Sequence, residues 1–172
     1  MTGAIMESIE RFRAPLVPGS TDRLLASDLA KETEFLAART ISIGTARANA
    51  MLGPLDLKVR SYSVLALACT ADAPSQRELA DFLCLVPSQI VALVDGLERR
   101  GLVERLNDPG DRRSKIIRAT ASGKRLYKRA SETVREAEDI SLQALTAEER
   151  NQLRSLLRRT AFTPTDQASA PG

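Results

Sequence analysis

Two clusters of residues carry the chemistry legible in this chain. Ser88 and Gln89 follow Pro87 in PSQIVALVDGLERR, at the start of a helical pattern. A glutamine amide can bond an adenine edge bidentately, and a serine hydroxyl can bond several bases or a phosphate. Ala92 is suited to contact a thymine methyl, as is Val91, whose expected role is packing. The second cluster is Arg112, Arg113 and Lys115 in NDPGDRRSKIIRAT. Guanidinium groups at a hairpin tip suit a minor groove, where negative potential concentrates. Arg113 is the candidate for groove insertion and Arg112 for phosphate contact. Ser75 and Gln76, heading SQRELADFL, complete the candidate DNA-facing set. An ordinary reading stands beside each: Gln89 as an exposed polar residue, the arginines as charges that keep a hairpin soluble.

These side chains need elements to hold them, and the sequence specifies those elements locally. Ser75-Gln76-Arg77-Glu78 reads as a capping box, with the Ser75 hydroxyl accepting from the Glu78 amide and the Glu78 carboxylate accepting from the Ser75 amide. It sets the start of a helix over 76–83. Pro87 suits the first position of the next helix, where a missing N–H costs nothing. Ile90, Val94 and Leu97 then face inward, and Gly101 ends the helix as a left-handed cap. Residues 102–106 and 114–119 read as strands about an Asp108-Pro109-Gly110 turn. Helix, turn, helix and hairpin in this order make a winged helix-turn-helix, so the predicted class is mainly α with a small β-wing.

Long apolar-periodic segments flank this module. Residues 22–51 read as one helix with Leu25, Leu29, Phe35, Leu36 and Ile43 on a broad apolar side, ended by Gly53 and Pro54. At 1.5 Å per residue it would run roughly 45 Å, more than a small core can cover, which implies a partner subunit. A short apolar helix follows over 59–70. Thr120 caps a helix to about residue 145 carrying Leu126, Ala130, Val134 and Leu142. Thr146-Ala147-Glu148-Glu149 is a second capping box, opening a helix with Leu153, Leu156 and Leu157. The expected organisation is a flexible arm over 1–20, a dimerisation helix over 21–57, the winged helix-turn-helix over 58–120, C-terminal dimerisation helices over 121–162 and a disordered tail over 163–172.

Composition narrows the function. The 172 residues include no histidine, which excludes Ser-His-Asp and Cys-His catalysis and removes the commonest transition-metal ligand. There is no phosphate-binding glycine loop and no nucleophile elbow. The expectation is a protein that is not an enzyme and carries neither cofactor nor metal. Cys69 and Cys84 match no metal spacing and form no disulfide framework. Within apolar helical patterns they read as small hydrophobes, with redox sensing as the alternative. The N-terminal residues lack a continuous apolar core, and the apolar run 64–69 is far too short to span a bilayer, so a cytoplasmic location and no membrane partner are expected. Net charge is +3, but residues 98–129 hold eleven Lys/Arg against four acids, which makes that window +7 and leaves −4 elsewhere. A concentrated basic segment on an otherwise acidic chain suits a polyanion, or is a solvated helix face plus a charged hairpin.

The run LADFLCLVPSQIVALVDGLERRGLVERLNDPGDRRSKIIRATASGKRL resembles the multiple-antibiotic-resistance regulator (MarR) family of bacterial transcription factors. LERRGLVER, DPGDRRS, the helix–Pro/Ser–helix spacing and a Thr followed three residues on by Gly carry the resemblance. It implies an obligate homodimer, intertwined through its first and last helices, that grips a pseudo-palindrome in double-stranded DNA with half-sites roughly 10 bp apart. It also implies repression, relieved in many members when a small, often phenolic, effector enters a cleft between the dimer arms and the DNA-binding lobe. Ile43, Arg47 and Tyr62 are the candidates to line that cleft, with Arg47 pairing a carboxylate; the alternative is core packing for Ile43 and surface charge for Arg47. Other members respond to thiol oxidation, though neither cysteine falls at the N-terminal position of the family's peroxide sensors. Two departures matter. Val91 and Ala92 stand where many members have Thr and Arg, and Ala119 stands where Leu is usual. The expected function is a dimeric repressor released from its operator by a phenolic or carboxylate ligand. A redox-responsive regulator using Cys84 or Cys69, and a winged-helix module that binds protein, are the alternatives.

Overall fold

The computed structural model describes residues 22–110 and 114–162. The expected arm over 1–20 and tail over 163–172 lie outside the described residues. The chain is mainly helical with one two-stranded antiparallel sheet.

The expected single helix over 22–51 is broken. A four-residue helix α1 (Asp22–Leu25) and a 3-10 turn (Leu29–Lys31) precede α2 (Thr33–Leu52). Short polar side chains near the backbone compete with the helical ladder, and Ser27 does so here. The Ser27 hydroxyl donates to the Leu24 carbonyl at 2.6 Å. Lys31 Nζ reaches Asp28 Oδ1 at 2.9 Å, and Glu32 then sits in extended backbone (ψ 128°). The continuous helix that remains has 20 residues, roughly 30 Å rather than 45 Å. Gly53 and Pro54 end it in a 3-10 turn (Gly53–Leu55), after which Asp56 turns the chain with a left-handed φ of 51°.

The next elements follow the sequence pattern closely. Helix α3 (Val59–Ala68) is tied to the end of α2 where the Val59 amide donates to Asn49 Oδ1 at 2.8 Å. Helix α4 (Gln76–Leu83) opens on the Ser75–Glu78 box in both directions. Helix α5 (Pro87–Arg99) begins at Pro87, and Gly101 takes φ 64° just past its end. Strands β1 (Val103–Asn107) and β2 (Lys115–Ala119) pair in register from Val103 opposite Ala119 to Asn107 opposite Lys115. The β2 edge is also held by α4's approach, since the Ile117 amide donates to the Pro74 carbonyl at 2.7 Å.

Thr120 caps α6 (Ala121–Ser141), and the second capping box opens α7 (Ala147–Phe162). Helix α6 stops at Leu142, a turn short of the expected end. It packs along α2. The core gathers Leu65, Leu79, Ile90, Val94, Leu97, Val103, Ile117 and Ala130, each almost fully buried. These residues come from α3, α4, α5, the wing and α6, so α5, the wing and α6 share one core.

The junction of wing and α6 is the tightest point. Thr120 Oγ1 donates to the Gly101 carbonyl at 2.7 Å and accepts from the Gly123 amide at 3.1 Å. A Cβ at Gly123 would lie 2.0 Å from the Leu102 carbonyl oxygen. This explains why a Thr followed three residues on by Gly occurs here: the cap and the close approach use the same turn. Gly123→Ala is expected to cost about 2–4 kcal/mol through forced displacement of backbone, read as a lower urea midpoint at unchanged m-value. The Glu78 carboxylate, lowered in pKa by its hydrogen bonds to the Ser75 amide and hydroxyl, adds a pH dependence. A depressed carboxylate stabilises the fold above its unfolded pKa and ceases to do so as pH falls through the folded value. Wild type should therefore lose more stability than Glu78→Gln on acidification below the ordinary glutamate range, measured by thermal melts across that range.

Candidate nucleic-acid interface

Burial of Ile90, Val94 and Leu97 sets the rotation of α5. The opposite face, half a turn round the helix, points outward, and Ser88, Gln89 and Ala92 are all exposed. Val91 belongs with them. It is 43% exposed, so the packing role expected of it is not what the fold provides. It lies off the 90–94–97 stripe, where no core partner reaches it. The first turns of α5 thus present a hydroxyl, an amide and two small apolar side chains.

Ser75 and Gln76 are half-buried, with Ser75 bridged to Ile116 on the outer edge of β2. The Ser75 hydroxyl donates to Glu78 Oε2 at 2.7 Å while accepting from the Glu78 amide at 3.2 Å, so its hydrogen-bonding capacity is spent on the cap. Lys115 is exposed at the tip end of the ladder, and its Nζ donates to Asn107 Oδ1 at 2.6 Å. Arg112 and Arg113 lie outside the described residues. The loop that carries them is closed by the Asp108 amide donating to the Ser114 carbonyl at 3.0 Å, and by the Gly110 amide donating to Asp108 Oδ1 at 2.8 Å.

A residue that sequence reasoning counted only as positive charge locks the wing to the recognition helix. Arg105 on β1 donates to both Asp95 and Glu98 of α5. Its side chain is 24% exposed. Desolvation alone would lower its pKa, but the hydrogen bonds and charges of the two carboxylates outweigh that and raise it. The signal was present as an acidic pair three residues apart on one helical face, followed by an arginine on the strand. Arg105 therefore does not project a free charge toward a polyanion; it sets the angle of the hairpin against α5.

The residues expected to line a ligand cleft are dispersed. Ile43 is 40% exposed and Arg47 is 6% exposed, the reverse of core packing for the one and surface charge for the other. Arg47 faces α6, where its Nη1 donates to Ser141 Oγ at 2.7 Å. Tyr62 stacks on Tyr127 with ring centroids 5.9 Å apart, and burial followed by the neighbouring Tyr127 raises its phenol pKa. None of the three lines a space of about 1250 Å³ between α2, the 53–58 turn, α3 and the α4–α5 turn. Ser42, Thr45 and Asn49 of α2 face it, on a different side of the helix from Ile43 and Arg47, together with Lys58, Arg60 and Leu93. Cys84 also lines it. That thiol is exposed and its residue left-handed at φ 51°, so it is not the packed hydrophobe expected. Cys69 is half-buried, and burial pushes its thiol pKa up.

The outward reading face of α5, the locked hairpin and the helices around them define a winged helix-turn-helix regulator. The MarR family model matches residues 57–115. The fold superposes on a MarR-family transcriptional regulator from Rhodococcus sp. RHA1 with a TM-score of 0.76 at 42% identity, over 81% of this chain and 99% of that one. It superposes on CouR from Rhodococcus jostii RHA1, solved with p-coumaroyl-CoA, with a TM-score of 0.74 at 41% identity, over 83% of this chain and 100% of CouR. A CouR repressor solved on a 23-mer DNA duplex matches at TM-score 0.72 and 29% identity, over 78% and 96%. The repressor NicR of Pseudomonas putida is 35% identical over 85 residues, which is 49% of this chain and about half (54%) of NicR. The chain belongs to the MarR family. Its relatives are transcriptional regulators.

If Arg105 sets the wing, Arg105→Ala should destabilise the fold by about 1–3 kcal/mol, the range for losing hydrogen bonds between charged groups. The double substitution Asp95→Ala/Arg105→Ala should cost less than the sum of the single ones in chemical denaturation. Strict additivity would mean that the pair contributes nothing.

Proposed function

We propose that this protein is a dimeric, sequence-specific DNA-binding repressor, released from a pseudo-palindromic operator by a small aromatic or carboxylate effector. The observation that carries the reading is the outward face of α5: Ser88, Gln89, Val91 and Ala92 stand exposed on a helix whose other side is locked in the core. Gln89 reads adenine, the two apolar side chains meet thymine methyls, and the basic hairpin with Arg112 and Arg113 follows the groove beside it. Such a regulator acts on DNA in the cytoplasm.

Dimerisation is supported by apolar side chains that the monomer leaves uncovered. Leu24, Leu25, Leu29 and Leu36 near the N-terminus, with Leu156, Leu157 and Phe162 near the C-terminus, are all 46% exposed or more. The effector reading is supported by the cavity along α2, which has room for more than a phenol. Lys58 and Arg60 in its lining suit a carboxylate or phosphate. The CouR complex with p-coumaroyl-CoA makes an aromatic acyl-thioester a reasonable first compound to try. A redox-responsive regulator is the second reading, favoured by one observation: Cys84 is exposed and on the cavity wall. Cys84→Ser should abolish oxidative loss of DNA binding if that reading holds.

Selection of bound sequences from a random duplex library tests the proposal. A pseudo-palindrome with half-sites about 10 bp apart is expected; a folded protein that enriches nothing would point to a protein-binding winged helix. Gln89→Ala should relax preference at one base position per half-site. Arg113→Ala should weaken binding by about 1–3 kcal/mol, read by fluorescence anisotropy at fixed salt.

A further inference from the structure

The turn that walls the large cavity is hydrogen-bonded to the recognition helix, and among the described residues those bonds come from one side chain. Arg100 closes the C-terminal end of α5. Its guanidinium crosses to the turn between α2 and α3, where Nη1 donates to the Asp56 carbonyl and Nη2 donates to the Leu55 carbonyl at 3.1 Å. The Asp56 carboxylate adds an ion pair at 3.6 Å. Asp56 and the following Leu57 and Lys58 line the cavity. One planar fork thus ties two successive carbonyls of the 53–58 turn, the Asp56 carbonyl in the cavity wall and the Leu55 carbonyl just before it, to the proposed DNA-reading helix, a geometry a lysine cannot reproduce. The turn itself is a place where backbone can change: a 3-10 turn followed by a left-handed non-glycine residue.

We infer that Arg100 is the coupling residue of this regulator: it transmits the state of the cavity wall at residues 56–58 to the end of α5, and so to the operator. The inference rests on the proposed DNA-binding reading. A ligand pressing on Leu57 or Lys58 moves the two carbonyls, and the fork carries that movement into the axis of α5. Coupling is reciprocal, so DNA held by α5 must restrain the same turn in the absence of any effector. Leu93 offers a rival route, because it projects from α5 into the cavity itself. The two routes differ in what Arg100 variants do.

The experiment is hydrogen exchange on the full-length protein, free and bound to its selected duplex, with no effector present. Anisotropy first establishes that each variant binds that duplex; failure of wild type to bind any duplex would sink the DNA-binding reading itself and would be seen at this step. In wild type, exchange in peptides covering residues 53–58 should slow on DNA binding by about fivefold or more, the lower end of usual coupling factors. In Arg100→Lys and Arg100→Met the slowing should shrink to less than about twofold, while protection within α5 persists. Asp56→Asn, which keeps both carbonyl contacts and tolerates the left-handed turn, should behave as wild type. Leu93→Ala should leave the response in place. No response in wild type, or a full response in both Arg100 variants, would overturn the inference. A stability change in Arg100→Met alone does not mimic the effect, because the quantity read is the difference between free and bound protein.

Discussion

Burial of Ile90, Val94 and Leu97 is the constraint on which the rest depends. Three apolar side chains at spacings of four and three define one stripe of α5, and a helix with one stripe buried has its rotation fixed to within a fraction of a turn. Everything the protein can read is the complement of that stripe. Had the buried residues been displaced by one position, Gln89 would face the core and Ile90 the solvent. Full burial of three such side chains is worth about 1.5–3 kcal/mol each relative to exposure, far more than any single polar contact of the face opposite. Packing therefore decides which groups are available for recognition, and recognition chemistry has no power to alter the packing.

A rotation is useful only if neighbouring elements share its frame. Arg105 fixes the wing against α5 by two carboxylates of that helix, and the Ile117 amide fixes β2 against the Pro74 carbonyl ahead of α4. At the other end of the hairpin, Thr120 and Gly123 join the wing to α6 through Gly101 and Leu102. A small sheet of two five-residue strands would be marginal alone. Here each strand is tied to a helix, so the paired strands are held against α5 and the start of α4.

Much of this was legible because it is local. The boundaries of α4, the Pro87 start of α5, the left-handed Gly101 and both capping boxes follow from residues a few positions apart. What escaped the sequence was set by tertiary partners or by competition within a turn. At the break over residues 26–32 the Ser27 hydroxyl bonds the Leu24 carbonyl while the apolar period runs on unperturbed. The residues that line the cavity did not stand out in the sequence, because periodicity says which positions of α2 share a face, not which face meets α6. Arg47 went toward Ser141, and Ser42, Thr45 and Asn49 went toward the cavity. Val91 was read as packing because it is β-branched and apolar; only the rotation of α5 shows that no core lies beneath it. Arg105 and Arg100 were counted as surface charge because their partners lie on other elements.

Magnitudes say how such a sparse reading face can be specific. A good bidentate contact discriminates between bases by about 1–3 kcal/mol. Specific binding exceeds non-specific binding by about 4–10 kcal/mol in typical regulators. On the proposed reading of a dimer on DNA, Gln89 is the one exposed bidentate group in the first turns of α5, and its two copies would reach only the lower part of that range. The remainder would come from contacts that carry less information each: apolar contact of Val91 and Ala92 with thymine methyls, and minor-groove width sensed by a basic wing. On that reading Val91 and Ala92, standing where the family resemblance puts threonine and arginine, would shift the burden from hydrogen-bond readout toward DNA shape. Shape is read only by elements held at a fixed angle, which makes the Arg105 lock and the shared core of wing and recognition helix part of specificity as well as of stability.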